Sequence, residues 1–160
     1  MVIKQASVRV DDVLARWARR EWDLGKLRGQ ALPTNEPEWL ELLGRHVGDL
    51  VAMIHASGPI DASRVGFEPS DLERLRLYSG EPVGTRCNDE LVARLVATPD
   101  PTRIVCTALV DMTGPFFIYD GWNRSAAWRK RIELGHRDLL DADVIKVSNA
   151  VLTWPRSRPL

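Results

Sequence analysis

Cysteine is scarce in this chain. Only Cys87 and Cys106 occur among 160 residues, with no CxxC pair. That excludes a disulfide framework and a thiolate zinc finger, and it points to a reducing compartment. No run approaches the ~18 consecutive apolar residues of a membrane span, so no membrane partner is expected. The opening residues MVIKQASVRVDD lack the apolar core of a secretory leader, which makes the cytoplasm the expected location. Excess charge is also lacking: 22 basic residues face 22 acidic ones. A broad sequence-blind DNA surface, which needs clustered Lys and Arg, is therefore not expected. Histidines are few. His46, His55 and His136 have no metal-ligand spacing, so no metal site is assigned from protein ligands.

The composition that remains, 44% hydrophobic and 28% charged, belongs to a globular protein with a real core. Val8-Arg9-Val10 is a short extended signal. Asp11 or Asp12 can cap a helix over 13–24, with Val13, Leu14, Trp17, Ala18 and Trp22 near helical spacing. Thr34 or Asn35 can cap a second helix reaching about His55, with Pro37 and two glutamates in its first turn. A short helix over 72–75, a strand from Leu75, and a helix over 90–97 capped by Asn88 or Asp89 follow. The last third is the most legible. IVCTALV (104–110) and FFIY (116–119) read as strands. A helix follows over 123–134 with Gly135 beyond its end, then a strand over 142–147. The expected fold class is mixed α+β. Residues 1–70 would form a helical extension packed on a sheet-and-helix core at 71–148, and 149–160 an irregular tail, all in a single domain.

The segment FFIYDGWNRSAAWRKR carries the chemistry. A strand stopping at Asp120-Gly121 and opening into a helix leaves unpaired N–H groups at the positive end of the helix dipole. Asp120, Asn123, Arg124 and Ser125 surround that end. Arg124 can fork onto phosphate oxygens, and Asn123 and Ser125 can add hydrogen bonds. Gly121 lets the backbone turn sharply and a ligand approach closely. Asp120 is a candidate to hold a metal–phosphate complex, to orient Arg124, or to act as a base. The plainer alternative is a capped helix, with Asp120 or Asn123 as its N-cap and Arg124 paired to a structural carboxylate.

FIYDGWNRSAAW resembles the DGxHRxxA signature of the ParB/sulfiredoxin superfamily, and the order of elements over roughly residues 75–147 is similar. The resemblance implies a small sheet-and-helix core that binds ATP or CTP phosphates at this turn, with Mg²⁺ as a possible companion. It implies phosphate contacts from Gly121, Trp122, Asn123, Arg124, Ser125 and Arg86, and catalytic roles for Asp120 and Glu81. Asn123 stands where that family usually has His. Trp122 stands where the sulfiredoxin branch needs cysteine, so repair of oxidised cysteine is not implied. Trp122 is also placed to stack on a base. The expected function is a nucleotide-binding phosphotransferase or NTPase acting on a small molecule, with a homodimer possible. The alternatives are a DNA-associated regulator using Arg129-Lys130-Arg131, or a non-catalytic binding module.

Overall fold

Helix ends are set by the residues that cap them. In the computed structural model, which describes residues 1–27 and 29–148, the chain begins with β1 (Val2–Val8) and α1 (Val10–Asp23). α1 starts earlier than Asp11 or Asp12 as caps implied. Arg9 stands at the N-cap without a side-chain bond, and both aspartates lie in the first turn, where they face the helix dipole favourably. α2 (Glu36–Ala56) opens on Asn35, whose Oδ1 accepts from the Glu38 N–H at 3.0 Å. The helix is broken at Val47, between Gly44 and Gly48. β2 (Pro59–Phe67), a 3-10 turn (Pro69–Arg74) and β3 (Leu75–Leu77) follow. Next come α3 (Asp89–Ala97), capped by Asn88, then β4 (Ile104–Leu109), β5 (Phe116–Asp120), α4 (Trp122–Glu133) and β6 (Leu140–Val147).

The six strands form one mixed sheet in the order β1-β2-β6-β4-β5-β3. β6 runs parallel to β4 and β3 parallel to β5; the other pairs are antiparallel. The mixed α+β class is thus shown, with one correction. The first 70 residues are not a purely helical extension. They contribute β1 and β2, and β2 pairs along its whole length with β6 from the chain's last third.

Alternation along the strands divides the core between the two sheet faces. Val13, Leu14, Trp17 and Ala18 of α1 and Leu42, Leu43 and Ile54 of α2 pack on Ala62, Val105, Tyr119 and Ile145. On the opposite face Trp128 of α4 packs among Phe67, Ile104, Cys106, Phe116, Ile118 and Val144. The N-terminal helices therefore pack on the sheet, as expected. Polar anchors tie α1 down as well. The fully buried Asp143 of β6 accepts from Arg16 Nε of α1 at 2.8 Å and from Arg103 Nε at 2.9 Å. The expected tail at 149–160 lies outside the described residues.

Candidate functional site

β5 reaches the motif through an irregularity. Val105 pairs with Asp120 and Cys106 with Ile118, so Tyr119 is the extra residue of a bulge. Its hydroxyl meets Thr107 Oγ1 at 3.1 Å, and burial raises its pKa well above the ordinary tyrosine range. Gly121 then takes φ +107, a left-handed conformation that L side chains rarely adopt. A Cβ there would lie 2.2 Å from Ile104 Cγ2. The close approach that requires glycine is thus to the core, not to a ligand.

α4 starts at Trp122 with Gly121 at its N-cap and no capping side chain, so neither Asp120 nor Asn123 is the cap. The buried Arg124 turns back. Its Nη2 donates to Asp120 Oδ2 at 2.8 Å, and its Nη1 donates to the carbonyls of Thr102 and Arg103 at 2.9 and 3.0 Å. Of the two sequence-level alternatives for Arg124, the geometry is that of the structural pair. The guanidinium fork is spent on the strand β5 and on the approach to β4.

The start of α4 opens into a cavity of about 540 Å³. Tyr119, Asp120, Gly121, Trp122, Asn123 and Arg124 form one wall. Trp17, Arg20, Glu21 and Leu24 of α1 and its end, with His46, Val47 and Leu50 of α2, form the facing wall. Leu91 and Leu95 of α3, Asp100 and Lys26 complete the lining. The size lies in the range of small-molecule sites, which combine apolar walls with a few convergent polar groups.

Several sequence-predicted residues belong to this wall and others do not. Trp122 lines the cavity, with its ring 5.1 Å from Tyr78 and its Nε1 donating to Ile118 O at 3.1 Å. Asn123 lines it too, and its Oδ1 accepts from the Asn88 N–H at 2.8 Å, which joins the starts of α3 and α4. Ser125 is fully buried, its hydroxyl donating to Trp122 O at 3.0 Å, so it is not presented to a ligand. Arg86 and Glu81 pair with each other, Nε to Oε2 at 2.8 Å, and neither lines this cavity. Two of the three residues of the basic run of α4 are committed within the chain, and Lys130 is exposed. Arg129 donates to Val83 O, and Arg131 to Val96 O and Asp138. Cys106 is buried and Cys87 half-buried, and burial raises both thiols, with Asp143 and Asp89 respectively adding to it.

Sequence reading missed the polar half of the facing wall. Arg20 donates to Asp100 Oδ2 at 2.7 Å and to Thr102 Oγ1 at 2.8 Å. Burial pushes Asp100 up, but hydrogen bonds from Thr102 and Arg20 outweigh it and hold the carboxyl at about 2. Because Thr102 O also accepts from Arg124, Arg20, Asp100, Thr102, Arg124 and Asp120 form one connected network. The buried Glu21 carboxylate lies 3.1 Å from His46 Nε2 and 3.4 Å from Lys26 Nζ. Glu21 and His46 are 25 positions apart on different helices, and no spacing rule connects them.

Among the described residues, no cluster of three or more His, Cys, Asp or Glu is arranged to hold a metal. No helix among them is long and apolar enough to cross a membrane. Comparison with protein-family models, with curated proteins and with solved structures finds no match.

Proposed function

We propose that the protein is a cytoplasmic nucleotide-binding enzyme, a phosphotransferase or NTPase acting on a small molecule, with ATP or CTP in the cavity at the start of α4. The observation that carries this reading is the opening of an uncapped helix N-terminus into the 540 Å³ cavity. The first-turn N–H groups of α4 supply donors and positive potential for an anion. Lys26 and Arg20 line the same space, and Trp17, Trp122 and Leu50 give apolar surface for the organic part of the ligand. The resemblance of FIYDGWNRSAAW to ParB/sulfiredoxin-type turns supports a nucleotide over other anions. In this reading the N–H groups beyond Gly121, with Asn123 and Trp122, contact the ligand. Arg124 holds the turn in shape behind them. Any Mg²⁺ would arrive with the phosphates.

Titration calorimetry with ATP, CTP and ADP, with and without Mg²⁺, tests the proposal. Binding of at least one nucleotide, weakened by salt and competed by tripolyphosphate, is the expected result. No heat and no thermal stabilisation with any of them refutes it. At a free concentration 100-fold above Kd, bound ligand should add about 2.7 kcal/mol.

A second reading, a binding module without turnover, draws on one observation. Both carboxylates that the sequence marked as catalytic are neutralised by arginines, Asp120 by Arg124 and Glu81 by Arg86. Nucleotide binding without phosphate release would select it.

A further inference from the structure

From the facing wall of the cavity we infer a catalytic role for His46, oriented by Glu21, as the acid–base group for hydrolysis of a bound nucleoside triphosphate. This rests on the nucleotide reading of the cavity and assigns its chemistry to residues that neither the motif nor the resemblance marks.

Three observations carry it. Glu21 is a buried carboxylate, and its Oε2 meets His46 Nε2 at 3.1 Å. A carboxylate on one ring nitrogen fixes the tautomer and orientation of the imidazole and stabilises the imidazolium. The other nitrogen, Nδ1, has no protein partner among the described residues. Second, His46 is part-exposed and lines the cavity that also receives the start of α4. A ligand held by α4 therefore lies in the same cleft as the imidazole. Third, α2 departs from helical geometry at Val47, the residue after His46, and Val47 itself lines the cavity. Two glycines, Gly44 and Gly48, bracket this break, and irregularity of this kind in a helix has an identifiable local cause.

The step balances as follows. A water oxygen attacks the terminal phosphorus. The new O–P bond forms as the bond from phosphorus to the bridging oxygen breaks, and that electron pair leaves with the nucleoside diphosphate. The proton of the attacking water passes to His46 Nδ1, and Glu21 compensates the imidazolium charge. His46 then returns the proton to solvent, leaving orthophosphate. Glu21 is the charged group that meets the imidazole, and Arg20, Lys26, Asp100, Asp120 and Arg124 line the same cavity.

The test uses the full chain, with ATP and CTP as probes, measuring binding by calorimetry and orthophosphate release separately. His46→Gln should bind nucleotide within about 3-fold of the parent yet release phosphate roughly 100-fold more slowly, the lower end expected for loss of a general base. Glu21→Gln removes the carboxylate that orients the ring, so kcat should fall while the Kd for nucleotide holds, a split that a purely structural pair would not produce. Unchanged release in His46→Gln overturns the inference, and so does a parent that binds nucleotide but releases no phosphate. A parent that binds neither nucleotide overturns the nucleotide reading itself, and the role of His46 with it. If His46→Gln does not fold, NMR of the parent decides. Nucleotide should shift the imidazole resonances of His46 and leave those of His55 and His136, the other two histidines, in place. Absence of that shift while nucleotide is bound refutes a catalytic His46.

Discussion

Arg124→Ala is expected to unfold the protein more readily, not merely to weaken a ligand. The substitution removes an ion pair at 2.8 Å to Asp120 and two hydrogen bonds, at 2.9 and 3.0 Å, to the carbonyls of Thr102 and Arg103. Both charged partners are buried, with 8% and 9% of their surface exposed. Breaking a buried pair leaves its surviving charge without compensation, at a cost of about 3–5 kcal/mol. The two carbonyls add about 1 kcal/mol each where water cannot replace the lost donor. For a chain of this length each kcal/mol lowers Tm by about 2–4 °C, so the total of about 5–7 kcal/mol corresponds to roughly 10–28 °C.

Urea unfolding of the parent and four variants separates the causes. Asp120→Asn keeps an acceptor for Nη2 and leaves the two carbonyl bonds, so about 1–3 kcal/mol is expected. The double variant Arg124→Ala/Asp120→Asn should be more stable than the sum of the two losses implies, because the stranded carboxylate is gone. A coupling of about 1–3 kcal/mol is the scale for residues in one network. Arg124→Lys should fall between the parent and Arg124→Ala, since an ammonium cannot reproduce the planar fork that reaches three acceptors. An Arg124→Ala protein with an unaltered Tm and a lost nucleotide affinity would refute this account and return Arg124 to the role of phosphate clamp.

Two further outcomes follow from the same junction. Gly121→Ala places a methyl 2.2 Å from Ile104 Cγ2 and demands a φ of +107 from an L side chain, so a loss of about 3–5 kcal/mol is expected in urea unfolding; a loss under about 1 kcal/mol would show that the turn relaxes without cost. Asp100, depressed to about 2 in the folded protein, takes up its proton first in the unfolded chain, so its contribution is complete above the ordinary carboxyl range and is lost as pH falls through about 2. With partial exposure that contribution is at most roughly 2 kcal/mol, and Asp100→Asn should flatten the decline of Tm between about pH 5 and 2; an identical decline in both proteins refutes the assignment.

Elements with a local cause were readable from the sequence. Asn35 and Asn88 cap α2 and α3 through their own side chains, and Gly135 follows α4 in a left-handed conformation. β4 and β5 are apolar because they lie inside the sheet. β1 and β2 escaped for opposite reasons. Six of the seven residues of β1 are exposed, since it is an edge strand whose outer side has no neighbour, so no alternation marks it. β2 is internal, but its sequence PIDASRVGF spends Ser63 on a bond to Ala6 O and sets Asp61 against Lys146. Those polar residues are matched only across strands distant in sequence. The helical label for the first 70 residues failed on that account.

The same distinction governs the site. Asp120, Gly121 and Arg124 are adjacent in sequence, so a motif can display them, yet display does not say which way each side chain turns. Gly121 faces Ile104, Ser125 bonds back to Trp122 O, and Arg124 reaches across to Thr102 and Arg103. Each of these partners lies on a segment that the helix start alone does not specify. Of the motif residues that line the cavity, Asp120 and Arg124 are paired with each other, which leaves Trp122 and Asn123 beside the start of α4, and backbone donors there leave little trace in side-chain identity. The ionisable groups facing it come from α1, α2 and the segments after α1 and before β4: Glu21, His46, Lys26, Arg20 and Asp100. Only packing of α1 and α2 against the sheet brings them opposite α4. The N-terminal helices are thus one of the two walls of the candidate site, and a fragment limited to residues 71–148 would carry the motif without the cavity.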